Sequence, residues 1–162
     1  MNSPEIVDAV SRRLIGKKII TTMAEDQTMN FWKCFKPLVK DIPLRKETGF
    51  FSVQKFEPAV PYNKFTPFTK FEKWAAVEVA ENDEMIPIGL EPLLLNGGKY
   101  AVFIHKGDFS KFPQTLQYIF GQWMPTSGFT LDKRHHFEIM GTDYQPNDPN
   151  AEEEVWIPIK EK

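Results

Sequence analysis

The order of elements predicts an α+β domain in which two helices cover the aliphatic face of a sheet, and three observations carry that prediction. Phe31, Cys34, Phe35 and Leu38 fall at i, i+3, i+4 and i+7, and Leu116, Ile119, Phe120 and Trp123 repeat the spacing, so each run presents one apolar stripe, as a helix does. Phe71 to Ala80 (FEKWAAVEVA) and Glu154 to Ile159 (EVWIPI) alternate instead, as strands do. Finally, the order strand, helix, strand, strand occurs twice, at about residues 13–80 and 99–160. The chain therefore reads as one domain, 1–162, built from two pseudo-repeats.

Taken in order, MNSPEIVDAVS is a short polar lead with no room for a helix-turn-helix module. Arg13 to Met23 mixes β-branched and basic residues and predicts a strand, which Gly16 bends or bulges. Asp26 or Thr28 can cap a helix from about Met29 to Val39, with a kink or early end at Pro37. Phe50 to Phe56 predicts the second strand, and the proline-dotted run Glu57 to Lys70 a loop whose Phe65 and Phe68 lie over an apolar surface. After the strand Phe71 to Ala80, Glu81 to Asp83 make a turn, Met85 to Leu95 give short extended pieces, and Asn96-Gly97-Gly98 is a turn. Lys99 to His105 opens the second round as a strand. Ser110 can cap a helix from about Lys111 to Met124, and strands at His136 to Met140 and Glu154 to Ile159 complete it.

Composition removes several classes of function. Lys plus Arg number 20 against 22 for Asp plus Glu, so a net charge of −2 gives no electrostatic footprint for nucleic acid. Cys34 is the sole cysteine, which leaves no intrachain disulfide and no multi-cysteine zinc site, and its place on the first helical stripe predicts a buried, inert thiol. No apolar run reaches the roughly 18 residues of a membrane span, and no signal-peptide core is present. A cytoplasmic protein is expected, with no membrane partner. His105, His135 and His136 predict no metal site, because adjacent histidines point to opposite strand faces. No phosphate-cradling glycine loop or nucleophile elbow is present, and no cofactor is expected.

The candidate binding residues are rings and acids that lie off the aliphatic faces. In the last strand Val155, Ile157 and Ile159 share one face, while Glu154, Trp156 and Pro158 share the other. An acid beside an indole there suits a pocket wall. The plain alternative is that Glu154 ends the run Glu152-Glu153-Glu154 as a solvated strand start. Trp74 repeats the arrangement, opposite Phe71, Ala75, Val77 and Val79, and Trp32 sits off the centre of its helix stripe. A shielding cluster across the sheet is the alternative for these indoles. Trp123, on its stripe, reads equally as core or ligand contact; Tyr118 lies to one side of the same helix, and Phe51 belongs to a strand with aromatics on both faces. Glu138 is either a second pocket carboxylate or a partner for Lys133 or Arg134.

The pieces FIHKG, the aromatic helix ending in WMPTSG, HHFE, and the terminal EVWIPI resemble the GyrI-like effector-binding domain found in AraC-type and MerR-type multidrug-responsive regulators and also alone. The N-terminal half, with NFWKCF and KFEKWAAVEV, is similar to the same group. The resemblance implies a tandem β-α-β-β repeat: an antiparallel sheet, two helices on its convex face and a concave ligand cleft between the halves. It implies capture of lipophilic, cationic or aromatic small molecules by aromatic walls around a carboxylate, here Glu154, with Trp156, Trp123, Tyr118, Trp74, Trp32 and Phe51. An acid in an apolar cleft has its charged form disfavoured, and a bound cation restores it. Some relatives hydrolyse reactive electrophiles, which would make Glu154 a general base and Tyr118 its partner. Others bind DNA gyrase, so gyrase or a separate regulator is a possible protein partner. With no fused DNA-binding module read in the sequence, a stand-alone form is expected.

Overall fold

The architecture was described from a computed structural model, which describes residues 3–25, 27–56, 64–80 and 86–162. Strands β1 (Glu5–Ala9), β2 (Arg12–Thr21), β3 (Arg45–Lys55), β4 (Phe71–Val79), β5 (Glu91–Leu95), β6 (Gly98–Lys106), β8 (His136–Met140) and β9 (Glu152–Glu161) form one antiparallel sheet, ordered β1-β6-β9-β8-β3-β4-β2-β5, and β7 (Phe129–Leu131) pairs with β9. The helices are α1 (Thr28–Phe35) and α2 (Phe112–Tyr118); α2 runs on through a π turn, Ile119–Trp123, into α3 (Met124–Thr126). The tandem β-α-β-β order is present: β2-α1-β3-β4 forms one half and β6-α2-β8-β9 the other, meeting at the β3–β8 pair.

Alternation assigns the two faces. Ala75, Val77 and Val79 of β4 pack with Ile15, Phe31 and Phe35 under α1, and Val155, Ile157 and Ile159 of β9 pack with Ala101, Phe103 and Ile119 under α2. Both helices therefore lie on one side, called here the helix face. The opposite, inner face carries Leu14, Phe51, Val53, Trp74, Leu93, Leu95, Tyr100, Phe137 and Trp156 as one cluster.

The sheet curls around that cluster. β2 and β9 stand four places apart, about 19 Å in a flat sheet, yet the Arg12 guanidinium of β2 lies 5.3 Å from the Trp156 ring centroid. The ends are exchanged between halves: β1 pairs with β6 and β5 with β2. Gly97 N also donates to Ser11 Oγ at 3.0 Å, tying the β5–β6 link to the β1–β2 link.

Several local expectations change. Pro37 ends α1, and a 3-10 turn, Lys36–Asp41, follows. Cys34 is exposed rather than buried, because α1 stops at Phe35 and only Phe31 and Phe35 reach the core. Asp108, not Ser110, caps the entry to α2, accepting from Ser110 N at 3.1 Å. The lead holds β1, which its polar composition hides but β6 recruits. Phe65 packs on Phe56 and Phe71, whereas Phe68 is exposed. The possible cap Asp26, loop residues 57–63 and the turn expected at 81–83 lie outside the described residues. Among the described residues, no helix is long and apolar enough to cross a membrane.

Candidate functional site

The inner face is filled, and its rings are already engaged. Trp156 stacks on Phe137 (5.2 Å, 15°), Phe137 on Phe51 (5.8 Å), and Tyr100 meets Phe137 and Trp156 edge-on. Each indole donates to the glutamate two residues before it, Trp156 to Glu154 at 2.9 Å and Trp74 to Glu72, so the two halves repeat one motif. The chain's own cations cover these rings: Arg12 over Phe51 and Trp156, Lys18 over Trp74, Arg134 over Tyr100. Arg12 is also paired with Glu78 at 3.0 Å. At the rim, where β3, β8 and β9 end, a groove of about 330 Å³ is lined by Glu152 to Glu154, Thr48, Ile104 and Ile139.

The helix face carries a different arrangement at the meeting of the halves. Antiparallel register places Phe50 opposite Met140, Ser52 opposite Glu138 and Gln54 opposite His136, all on the side of the helices. One end of this row is ringed by Trp32, edge-on to Phe50 at 5.9 Å; the other by Phe56 against His136 at 5.0 Å and Phe120 stacked on His136 at 6.2 Å. Phe120 belongs to the π turn, an irregularity that recurs at functional sites because it redirects side chains. In the middle lies Glu138, whose carboxyl accepts from Gln54 Nε2 at 3.1 Å. Glu153 of β9 faces the same way, across from Met140 and diagonal to Glu138. The Tyr144 hydroxyl lies near the Glu153 carboxyl and favours its charged form.

Burial governs the electrostatics here. It pushes Glu138 up to about 8, with the Glu153 charge adding to the rise and Lys73 and the Gln54 amide opposing it. Burial likewise raises Glu153 to about 7 against Lys73 and Tyr144. Tyr144 is pushed to about 12 by burial and the surrounding acids. His136 is lowered to about 4 by burial and by His135, so it stays neutral at physiological pH. Two acids with raised pKa values beside half-buried rings form a surface that gains most from a ligand able to favour their charged forms.

The seven residues expected to contact a ligand fall on both sides of the sheet. Glu154, Trp156, Trp74 and Phe51 share the inner face, with the three rings buried. Tyr118, Trp123 and Trp32 are on the helix face; Tyr118 and Trp123 pack edge-on against Phe103, and Trp123 stacks on Phe129. Tyr118 and Glu154 are thus separated by the sheet and do not form an acid–hydroxyl pair. Sequence reasoning passed over Glu153, Tyr144, Gln54 and Phe120. The available signal was Glu138 itself: it alternates with Phe137 and Ile139 and so shares a face with His136 and Met140. Arg134 is not its partner, since that guanidinium bonds Asp132 and the Lys99 and Ile159 carbonyls.

Known proteins align with this geometry. The family described as GyrI-like small molecule binding domain matches residues 2–160. The transcriptional regulator BrlR of Pseudomonas aeruginosa is 26% identical over 157 residues, covering 95% of this chain and 54% of the regulator, so the chain spans about half that protein's length. Among solved structures, SAV2435 bound to tetraphenylphosphonium superposes with a TM-score of 0.75 at 19% identity, over 98% of this chain and 94% of that one. A hydrolase from Listeria innocua gives 0.62 at 11% identity, over 98% and 92%. Both share the fold.

Proposed function

Because the chain belongs to the GyrI-like small molecule binding domain family, we propose that its ligand is a lipophilic cation held on the helix face, over Glu138 and Glu153 and between Trp32, Phe50, Phe56 and Phe120. The observation that carries this reading is the pair of acids, Glu153 buried and Glu138 half-buried, among half-buried rings at the meeting of the halves. The inner face, by contrast, already spends its rings on Arg12, Lys18 and Arg134. Tetraphenylphosphonium on SAV2435 supports the ligand class. Apolar area supplies most of the affinity, at about 25 cal/mol per Å²; each ring adds roughly 0.5–2 kcal/mol of cation–π attraction; the acids choose the charge. Binding there requires Phe120 and Trp32 to turn aside.

Thermal unfolding tests this. Tetraphenylphosphonium is expected to raise Tm, with Glu138→Gln losing most of the increase and Glu154→Gln keeping it. No stabilisation by this cation or by rhodamine dyes, or an equal loss in both variants, would sink the reading.

A second reading has its own observation. Glu153, raised to about 7 with the Tyr144 hydroxyl near it, gives an acid and a hydroxyl side by side with a base poised near neutrality, and the fold is shared with a hydrolase. Turnover of a reactive electrophile, abolished by both Glu153→Gln and Tyr144→Phe, would establish it.

A further inference from the structure

We infer that Lys36 is a specificity-determining residue of the seam: its ammonium already holds the ring at one end, so it competes with a bound cation and weakens cation binding. The inference rests on the helix-face binding reading. Lys36 Nζ lies 5.4 Å from the Phe50 ring centroid, inside the roughly 6 Å at which an ammonium is drawn to a ring face. Phe50 is also the ring that Trp32 meets edge-on at 5.9 Å. Along β3 it stands two residues before Ser52, which faces Glu138, a step of about 7 Å. A monocation seated over Glu138 therefore finds a like charge at the Phe50 end, and the two cannot both lie on that ring.

The backbone fixes this neighbour. Lys36 keeps helical torsions at the end of α1, and its N–H donates to the Trp32 carbonyl, so the two side chains stand four residues apart on one helical face. Pro37 follows and turns the chain into the 3-10 turn. One turn of helix thus presents an indole and an ammonium to the same ring. The other end of the seam follows the same plan without the ammonium. Phe120 stacked on His136 takes the part of Trp32 on Phe50, with His136 and Phe50 at matching places on paired strands. Counting on from Lys36 by the interval that separates Trp32 from Phe120 reaches Met124, which packs on the core under α2. At this position the two halves differ by one charge, and Lys36 is exposed, so core packing does not demand it.

Calorimetry separates the two levels of the claim. Tetraphenylphosphonium chloride is titrated into the full chain and into Lys36→Met and Lys36→Arg, with Lys36→Gln replacing the methionine variant if that one fails to fold. Removing the charge is expected to tighten cation binding about two- to fivefold, the worth of an exposed cation–π contact, whereas Lys36→Arg, which keeps the charge, is expected to match the wild type. Neutral triphenylphosphine oxide is expected to show no gain in Lys36→Met. Unchanged or weaker cation binding in Lys36→Met overturns the inference. Tightening that appears equally in Lys36→Arg, or equally for the neutral compound, also overturns it, because a reshaped surface rather than a removed charge would then be the cause. Each of these results leaves the binding reading intact. Failure of the cation to bind any of the proteins overturns both.

Discussion

Glu138 and Glu154 carry the same side chain on adjacent strands, and a single step in strand register separates their chemistry. Glu154 pairs with Ile139, so its carboxyl turns to the inner face and accepts from an indole; Glu138, one residue earlier on β8, turns to the helices. The sequence shows both alternations but not which face has rings left to offer, because that depends on Arg12 and Lys18 of β2 and Arg134 of the β7–β8 turn reaching rings on other strands. For the ligand-free protein, the sign of the pH dependence follows. The folded state holds protons on Glu138 and Glu153 that the unfolded chain has lost above about 4.5, so stability falls as pH rises through about 7 to 8. His136 acts oppositely, from about 4 to 6.5, because the unfolded chain binds its proton and the folded state does not. Above pH 6.5 only the acids remain, and urea unfolding is expected to show lower stability at pH 8 than at pH 6.5. Glu138→Gln should flatten that slope; an unchanged slope would remove the raised acid from the account.

At the scale of elements, what was readable was local. The β4 and β9 alternations, the strand at β6 and the break at Pro37 follow from side-chain period and proline geometry alone. β1 and β7 are short and gain their identity from β6 and β9, and the π turn has no composition of its own, so neither could be read. Gly16 was expected to bend β2, but its role is close approach: a Cβ there would lie 2.2 Å from the Ala75 carbonyl oxygen and 2.6 Å from Ala76 Cβ. Gly16→Ala should therefore destabilise by about 1–3 kcal/mol, seen as a lower urea midpoint at unchanged slope. Gly121, in the π turn, faces open space except for Gln117 at 4.0 Å. Gly121→Ala should raise stability by about 0.5–1 kcal/mol; a loss would mean the turn needs glycine's freedom.

The whole molecule is two halves that exchange their edge strands and so curl around a shared aromatic cluster. That exchange fills the middle of the inner face with rings, leaving a groove at its rim, and sets a second group of rings and acids at the seam on the helix face. Arg12 fastens the curl, reaching from β2 to Trp156 of β9 while paired with Glu78, whose side chain is 6% exposed. Arg12→Ala should cost about 2–3 kcal/mol, because among the described residues Glu78 then keeps only Thr48 as a side-chain hydrogen-bond partner; a near-neutral result would show the cluster closing without it. The repeat order could be read from the chain, but the exchange could not, since it pairs residues far apart in sequence. The central claim is where a lipophilic cation sits, and a crystal structure with tetraphenylphosphonium answers it most directly. The phosphorus is expected over the Glu138 carboxyl, between Trp32 and Phe120, with those rings turned outward. Density on the inner face, in the groove beside Glu154 and Ile104, would contradict it.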